Sequence, residues 1–107
     1  MKRIKLTKDK YAIVSDEDYE SLNKYKWYAT DCRIGDREKW YAARKKKIDG
    51  TYKTVYMHRE ITNCPQGLVV DHLNANGLDN QRTNLENVTQ EENLKRWHNK
   101  AHLKHTA

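Results

Sequence analysis

The scarcity of aliphatic side chains most constrains what this chain can fold into. Its 107 residues include eighteen Leu, Ile and Val and no Phe. This proportion borders on the roughly 20% below which highly charged chains tend to be disordered. Seven Tyr and three Trp compensate, because each aromatic side chain can bury a large apolar area. We therefore expect a small folded domain with a thin core.

Several protein classes are excluded at this stage. No apolar run approaches the roughly 18 residues of a membrane-spanning helix. The basic N-terminal decapeptide is not followed by the apolar segment of a secretory signal. The two cysteines, Cys32 and Cys64, form no CxxC pair and resemble packing residues more than metal ligands. We expect a cytoplasmic protein with reduced thiols and no membrane contact.

Positive charge is concentrated in the first half of the chain. The formal net charge is +6, and residues 1–53 carry fifteen Lys and Arg against nine Asp and Glu. Residues 54–107 carry six of each, together with all five histidines. A basic half rich in Tyr and Trp suits contact with a phosphate backbone, and a half that holds the histidines suits chemistry. The basic run at residues 44–47 could equally be a solvated strand end.

The first half has the pattern of a three-stranded antiparallel sheet with one helix. An S-x-x-D capping signal at Ser15 predicts a helix over about residues 16–25. Asp49-Gly50 is a strong signal for a two-residue hairpin turn. β-branched and aromatic residues predict the strands, which we expect at residues 11–14, 26–32, 39–47 and 51–57.

The second half predicts a short helix over residues 57–62, followed by strand, long loop, strand and helix. The apolar strand at residues 68–70 runs directly into Asp71 and His72, and an Asn-rich loop follows. Residues 85–88 can return as the partner strand. A T-x-x-E capping box at Thr89 predicts a helix that runs to about residue 102.

The spacing of four polar residues indicates a candidate catalytic site. Asp71 and His72 are adjacent at a strand end, so their side chains should point to opposite faces. Asn84 follows at the start of the returning strand, and Asn93 lies in the first helical turn, where free N–H groups favour phosphate. A carboxylate and an amide oxygen suit Mg²⁺. Alternatively, the cluster only satisfies backbone groups, with Asn93 as an ordinary helix residue.

The run from Asp71-His72 through Asn84 to Asn93 resembles the HNH, or His-Me finger, nucleases. It is most similar to their bacteriophage homing-endonuclease branch, in which Asn replaces the last His. The resemblance covers residues 68–97 and extends to the preceding Tyr56-Met57-His58-Arg59. It implies an α+β chain in which a basic sheet module, residues 1–56, precedes a ββα-metal nuclease module, residues 57–107, in one compact unit.

The resemblance also implies roles for these residues in metal-dependent hydrolysis of DNA, with 5′-phosphate and 3′-hydroxyl products. Asp71 and Asn93 would hold Mg²⁺, with Mn²⁺ as the alternative. His72 would be the general base, and Asn84 would brace the loop and hold His72 in orientation. The alternative is a degenerate nuclease that binds DNA without cutting it. RNA is a weaker candidate, because the chain has no RNP-type or KH motif.

Other residues near this run are accessory candidates. His58 either reaches the site or packs the loop, and Arg59 is a candidate phosphate contact. His98 and His102 have the i, i+4 spacing of a zinc pair, but such surface pairs are more often solvated, and we expect no zinc-finger site. His98 remains a possible accessory residue.

A second resemblance concerns the N-terminal half. Trp40-Tyr41-Ala42-Ala43-Arg44, the Asp49-Gly50 turn and Thr54-Val55-Tyr56 are similar to the DNA-binding sheet of plant ethylene-response factors. The implied partner is double-stranded DNA. A single site per chain would nick, whereas a homodimer could cut both strands. A phage-encoded chain would act in the host bacterial cytoplasm. The candidate DNA contacts are Arg33, Arg44, Lys45, Lys46, Lys47 and Lys53.

Overall fold

A computed structural model describes residues 1–32 and 38–96 and has the mixed α+β composition that we expect. The strands are β1 (Lys2–Lys5), β2 (Tyr11–Val14), β3 (Tyr28–Asp31), β4 (Trp40–Ile48), β5 (Thr51–Tyr56), β6 (Val69–His72), β7 (Asp79–Asn80) and β8 (Leu85–Val88). The helices are α1 (Asp16–Leu22), α2 (Met57–Thr62) and α3 (residues 90–96), with a 3-10 turn at Arg82–Asn84.

β3, β4 and β5 form a three-stranded antiparallel sheet at the predicted positions. The β4–β5 turn is the predicted Asp49-Gly50 pair, and both residues have positive φ, 50° and 79°. This conformation matches the right-handed twist of the flanking strands. The turn therefore sets the register of a long hairpin whose outer end is rich in lysine.

A second sheet, in the order β1-β2-β7, is absent from our expectations. β1 is a basic strand, and only Ile4 in it is buried, so its composition resembles a loop. β7 is two residues long and pairs in parallel with β2, which joins the second half of the chain to the first. Arg82 reinforces this junction, because its guanidinium lies 2.7 Å from Asp18 on α1.

β6 and β8 form the predicted antiparallel hairpin, with His72 opposite Leu85. α3 begins after Thr89, whose hydroxyl accepts a hydrogen bond from the Glu92 N–H at 3.2 Å. The capping box therefore starts the helix as predicted, and its expected course to residue 102 lies outside the described residues. The order β6, β8, α3 is compatible with an HNH-like domain.

α1 ends at Leu22, three residues earlier than predicted, because the Trp27 indole donates to the Leu22 carbonyl at 2.8 Å. Cys32 and Cys64 are half-buried free thiols. In the part of the chain that the structure describes, no helix is long and apolar enough to cross a membrane.

The buried core is small, as the scarcity of aliphatic side chains requires. It consists of Ile4, Leu6, Ala12, Val14, Leu22, Trp27, Ala29, Ala42 and Met57.

Gly77 allows the Asn-rich loop to pack against β4 of the β3–β4–β5 sheet. A Cβ at Gly77 would overlap the Trp40 carbonyl oxygen and lie 2.8 Å from the Tyr41 ring. Only glycine permits this approach of backbone to backbone. The loop that follows His72 therefore closes over β4 at the point where Tyr41 stands.

Candidate active site

Asp71 and His72 end β6 and are both buried, with 5% and 3% of their surface exposed. The Asp71 carboxylate contacts Arg96 of α3, with 3.1 Å between Oδ2 and Nη1. The His72 ring contacts Asn80 of β7 and Tyr41 of β4. The Asp71 side chain therefore contacts α3, whereas the His72 ring contacts a strand of each three-stranded sheet, β7 and β4.

Four rings, Tyr41, Tyr56, His58 and His72, form a cluster that we call the ring cluster. The His58 and His72 centroids lie 5.0 Å apart, and Tyr41 lies 4.9 Å from His58 and 5.7 Å from His72. Tyr56 stacks on His58 at 5.5 Å. β4 and β5 supply the tyrosines, α2 supplies His58 and β6 supplies His72. The β3–β4–β5 sheet, α2 and the β6–β8 hairpin therefore build this cluster together.

Burial keeps the ring cluster uncharged at neutral pH. Desolvation, followed by the proximity of His72, lowers the pKa of His58 to about 3. Burial also lowers the pKa of His72 and raises the pKa of Tyr41 to about 12. A neutral imidazole can accept a proton, so His72 is in the form that a general base requires.

The orientation of His72 depends on Asn80, which sequence reasoning missed. Asn80 is fully buried in β7, and its Oδ1 lies 2.8 Å from His72 Nε2. With Asn80 Oδ1 as the acceptor, Nε2–H is the donor at the His72 ring, and Nδ1 then carries the lone pair. The Asp79-Asn80 pair has the composition of a loop, and no local pattern distinguishes it from the asparagines around it.

Asn84 makes three hydrogen bonds to the loop between β6 and β7 and to the start of β7. Its Nδ2 donates to Asn74 Oδ1 at 2.9 Å and to the Asp79 carbonyl at 2.8 Å, and its Oδ1 accepts from the Asn74 N–H at 3.0 Å. The bond to the His72 ring, however, comes from Asn80. Asn84 therefore acts on His72 through the loop that carries Asn80.

The two expected metal ligands lie on β6 and α3. Asn93 is half-buried in α3, three residues before Arg96. Arg96 also contacts Glu86 of β8 at 2.8 Å, so its contacts with Asp71 and Glu86 join α3 to the β6–β8 hairpin. Within α3 it contacts Glu92 at 3.1 Å. Among residues 1–32 and 38–96, no group of three or more His, Cys, Asp and Glu side chains is placed to hold a metal ion.

The expected DNA contacts that the structure describes differ in how far they are exposed to solvent. Arg44 is buried at 7% exposure and bonds to Glu60 at 2.7 Å, so we correct its assignment as a phosphate contact. The half-buried Arg59 donates to the Leu68 carbonyl at 3.4 Å, which supports the turn before β6. Lys45, Lys46, Lys47 and Lys53 are exposed on the β4–β5 hairpin.

Three further assignments have different outcomes. His58 lies in the ring cluster, and its buried Nδ1 has no hydrogen-bond partner among the described residues. Its ring centroid lies 5.0 Å from that of His72, and an accessory role for His58 stays a prediction. Arg33 and His98 lie outside the described residues.

Residues 57–95 match the family model described as HNH endonuclease. The matched segment runs from α2 into α3 and includes Asp71, His72, Asn84 and Asn93. Comparisons with curated proteins and with solved structures find no match. The family match covers just over a third of the chain and supports a nuclease of the HNH class.

Replacing Asn80 tests its role as the positioning residue for His72. In Asn80→Leu, the acceptor for Nε2–H is lost, and we expect the His72 ring to populate the Nδ1–H tautomer. Asn80→Asp keeps an acceptor and should keep the Nε2–H tautomer. Ring ¹⁵N chemical shifts report the tautomer directly. We also expect a loss of about 1–3 kcal/mol of stability in Asn80→Leu.

Unchanged ¹⁵N shifts in folded Asn80→Leu would show that other contacts hold the His72 ring. The Nδ1–H tautomer in Asn80→Asp as well would show a general disturbance of β7 rather than loss of the acceptor. Protonation of both ring nitrogens would not, because the added carboxylate favours the imidazolium and Nε2 keeps its proton.

Proposed function

We propose that the chain is an HNH-type endonuclease that hydrolyses phosphodiester bonds in double-stranded DNA with a divalent metal and His72 as general base. The observation that carries the proposal is the placement of His72, which is buried with its Nε2 2.8 Å from Asn80 Oδ1. It lies beside a buried carboxylate within the segment that matches the family.

The His72 ring can move one proton in this reaction. A water oxygen forms the new bond to phosphorus, and the bond from phosphorus to the 3′ oxygen breaks. The proton that the water loses goes to Nδ1 of His72, since Nε2 already carries one. The departing 3′ oxygen takes a proton from solvent, so the products would be a 5′-phosphate and a 3′-hydroxyl. The resulting imidazolium keeps its bond to Asn80, whose oxygen accepts from either form.

Asp71 and Asn93 are the residues that would hold a hard divalent cation. Asp71 is 5% exposed and already has a cationic partner, the Arg96 guanidinium at 3.1 Å. Asn93 on α3 would add an amide oxygen, and carboxylate and amide oxygens favour Mg²⁺ or Mn²⁺. A bound divalent cation stabilises negative charge on a departing oxygen. With two protein ligands, water and phosphate oxygens would complete the coordination.

A second candidate function is DNA binding without cleavage. The Asp71–Arg96 ion pair favours it, because the Arg96 guanidinium already compensates the charge of the buried carboxylate without a metal. This candidate predicts steeply salt-dependent DNA binding and no strand breaks with any divalent cation.

The proposed place of action is the cytoplasm, or that of a bacterial host if a phage encodes the chain. One active site per chain nicks a single strand, and a two-fold dimer would cut both.

Plasmid nicking separates the two candidates. We expect the protein to relax supercoiled DNA with Mg²⁺ or Mn²⁺ and to stop when EDTA is added. His72→Ala should lower the nicking rate by roughly 10²–10⁴-fold, because the proton acceptor is lost. Gel electrophoresis measures the rate, and fluorescence anisotropy should show unchanged DNA affinity. Nicking by His72→Ala at the wild-type rate would contradict the mechanism.

Arg96→Gln tests whether Arg96 and a metal compete for Asp71. The substitution removes a positive charge from the carboxylate, so we expect tighter Mn²⁺ binding in titration calorimetry. A rise of roughly three- to ten-fold corresponds to an ion pair of about 1 kcal/mol. Without metal, the melting temperature should fall, because Asp71 loses its partner.

Lys95→Gln is the matched control, because Lys95 pairs only with Glu91 on the same helix among the described ion pairs. Mn²⁺ affinity that is unchanged or weaker in Arg96→Gln would show that Arg96 does not compete for the metal position.

A further inference from the structure

The four lysines of the β4–β5 hairpin lie on two different faces. Side chains alternate along a strand, and directly opposite residues share a face. Lys45 pairs with Thr54 and Lys47 pairs with Tyr52, whereas Lys46 pairs with Lys53. Two lysines therefore lie on each face of the same hairpin, although they are neighbours in sequence.

We call the face that carries Lys45 and Lys47 the site face, because it continues into the ring cluster. Lys45 Nζ donates to Thr54 Oγ1 at 2.6 Å, and Lys47 Nζ lies 5.8 Å from the Tyr52 ring. Further along the same face, the Tyr41 and Tyr56 rings are 6.0 Å apart. The site face comprises Tyr41, Ala43, Lys45, Lys47, Tyr52, Thr54 and Tyr56.

The opposite face, which we call the far face, leads into the core. Arg44 lies on it and bonds to Glu60 of α2, with its guanidinium 3.9 Å from the Tyr25 ring. Lys46 and Lys53 extend this face outward. The lysines of the far face are therefore on the side of the sheet turned away from His72.

The site face adjoins the ring cluster, through which its tyrosines are in contact with His58 and His72. Tyr56 stacks on His58 at 5.5 Å, and His58 meets His72 at 5.0 Å. The seven residues from Tyr41 to Lys47, which are six steps of about 3.4 Å, span about 20 Å of strand. This length corresponds to about six nucleotides of one duplex strand at 3.4 Å each.

The chemistry of the site face suits a polyanion. The strand residues that form it include no Asp or Glu. Lys39 extends the same line, with its Nζ 5.7 Å from the Tyr41 ring. Tyr52 is 66% exposed near the turn, so its ring is accessible to a partner. Cations interspersed with tyrosine rings can contact phosphates, sugars and bases.

We propose that the site face carries one strand of duplex DNA to His72. Lys45 and Lys47 contact phosphates within about six nucleotides of the bond that is cut, and Tyr52 contacts the same strand near the hairpin turn. Lys46 and Lys53 lie outside this path. The proposal rests on the proposed function, since it names the route by which the substrate of that site arrives.

Two double variants of equal charge test this route. Lys45→Gln with Lys47→Gln alters the site face, and Lys46→Gln with Lys53→Gln alters the far face of the same hairpin. Both remove two positive charges from exposed positions, so the overall charge is matched. The measurement is fluorescence anisotropy with a labelled DNA duplex in EDTA over a series of NaCl concentrations, with thermal unfolding as the check on folding.

We expect the site-face variant to bind roughly ten-fold more weakly and its salt slope to become shallower by about 1.8, the loss of two phosphate contacts. The far-face variant should change affinity less than about three-fold. Equal effects of the two variants, or a larger effect of the far-face variant, would overturn the proposal. So would a wild-type protein that does not bind duplex DNA.

Because binding is measured without metal or cleavage, this test is independent of catalysis. A selective loss in the site-face variant from a protein that never nicks DNA would support the route and reject the nuclease. Nicking that depends on His72, with equal binding losses in both variants, would support the nuclease and reject the route.

Discussion

The hydrogen bond between Asn80 and His72 is the interaction on which the site depends. Asn80 reaches His72 only because β7 pairs with β2, and β7 is held there by the loop that Asn84 braces. Gly77 lets the same loop close on β4. A single ring orientation thus requires contacts from three strands that are distant in sequence. This cooperation explains how a thin core can support a defined site.

Local patterns predicted much of this structure. The Asp49-Gly50 turn, the strands beside it, the Thr89 capping box and the position of Asp71-His72 at a strand end all follow from short-range rules. β1, β7 and Asn80 could not be predicted in this way. β1 is mostly charged and β7 is two residues long, and both are strands because β2 lies between them.

The candidate DNA contacts show the same limit. In sequence, residues 44–47 are four consecutive cations with nothing to distinguish them. In the fold, Arg44 is buried against Glu60, and the alternation of the strand separates Lys45 and Lys47 from Lys46. Charge composition can indicate a polyanionic partner, but the register of β4 and β5 decides which charges face the site.

The ends of the cleaved strand test the central claim, hydrolysis by a water that His72 activates. Supercoiled plasmid nicked by the protein with Mg²⁺ would be treated with DNA ligase alone. Our account predicts complete resealing, because ligase requires a 5′-phosphate beside a 3′-hydroxyl. Nicks that reseal only after the ends are enzymatically repaired would contradict this chemistry, and a plasmid that is never nicked would contradict the assignment of nuclease activity.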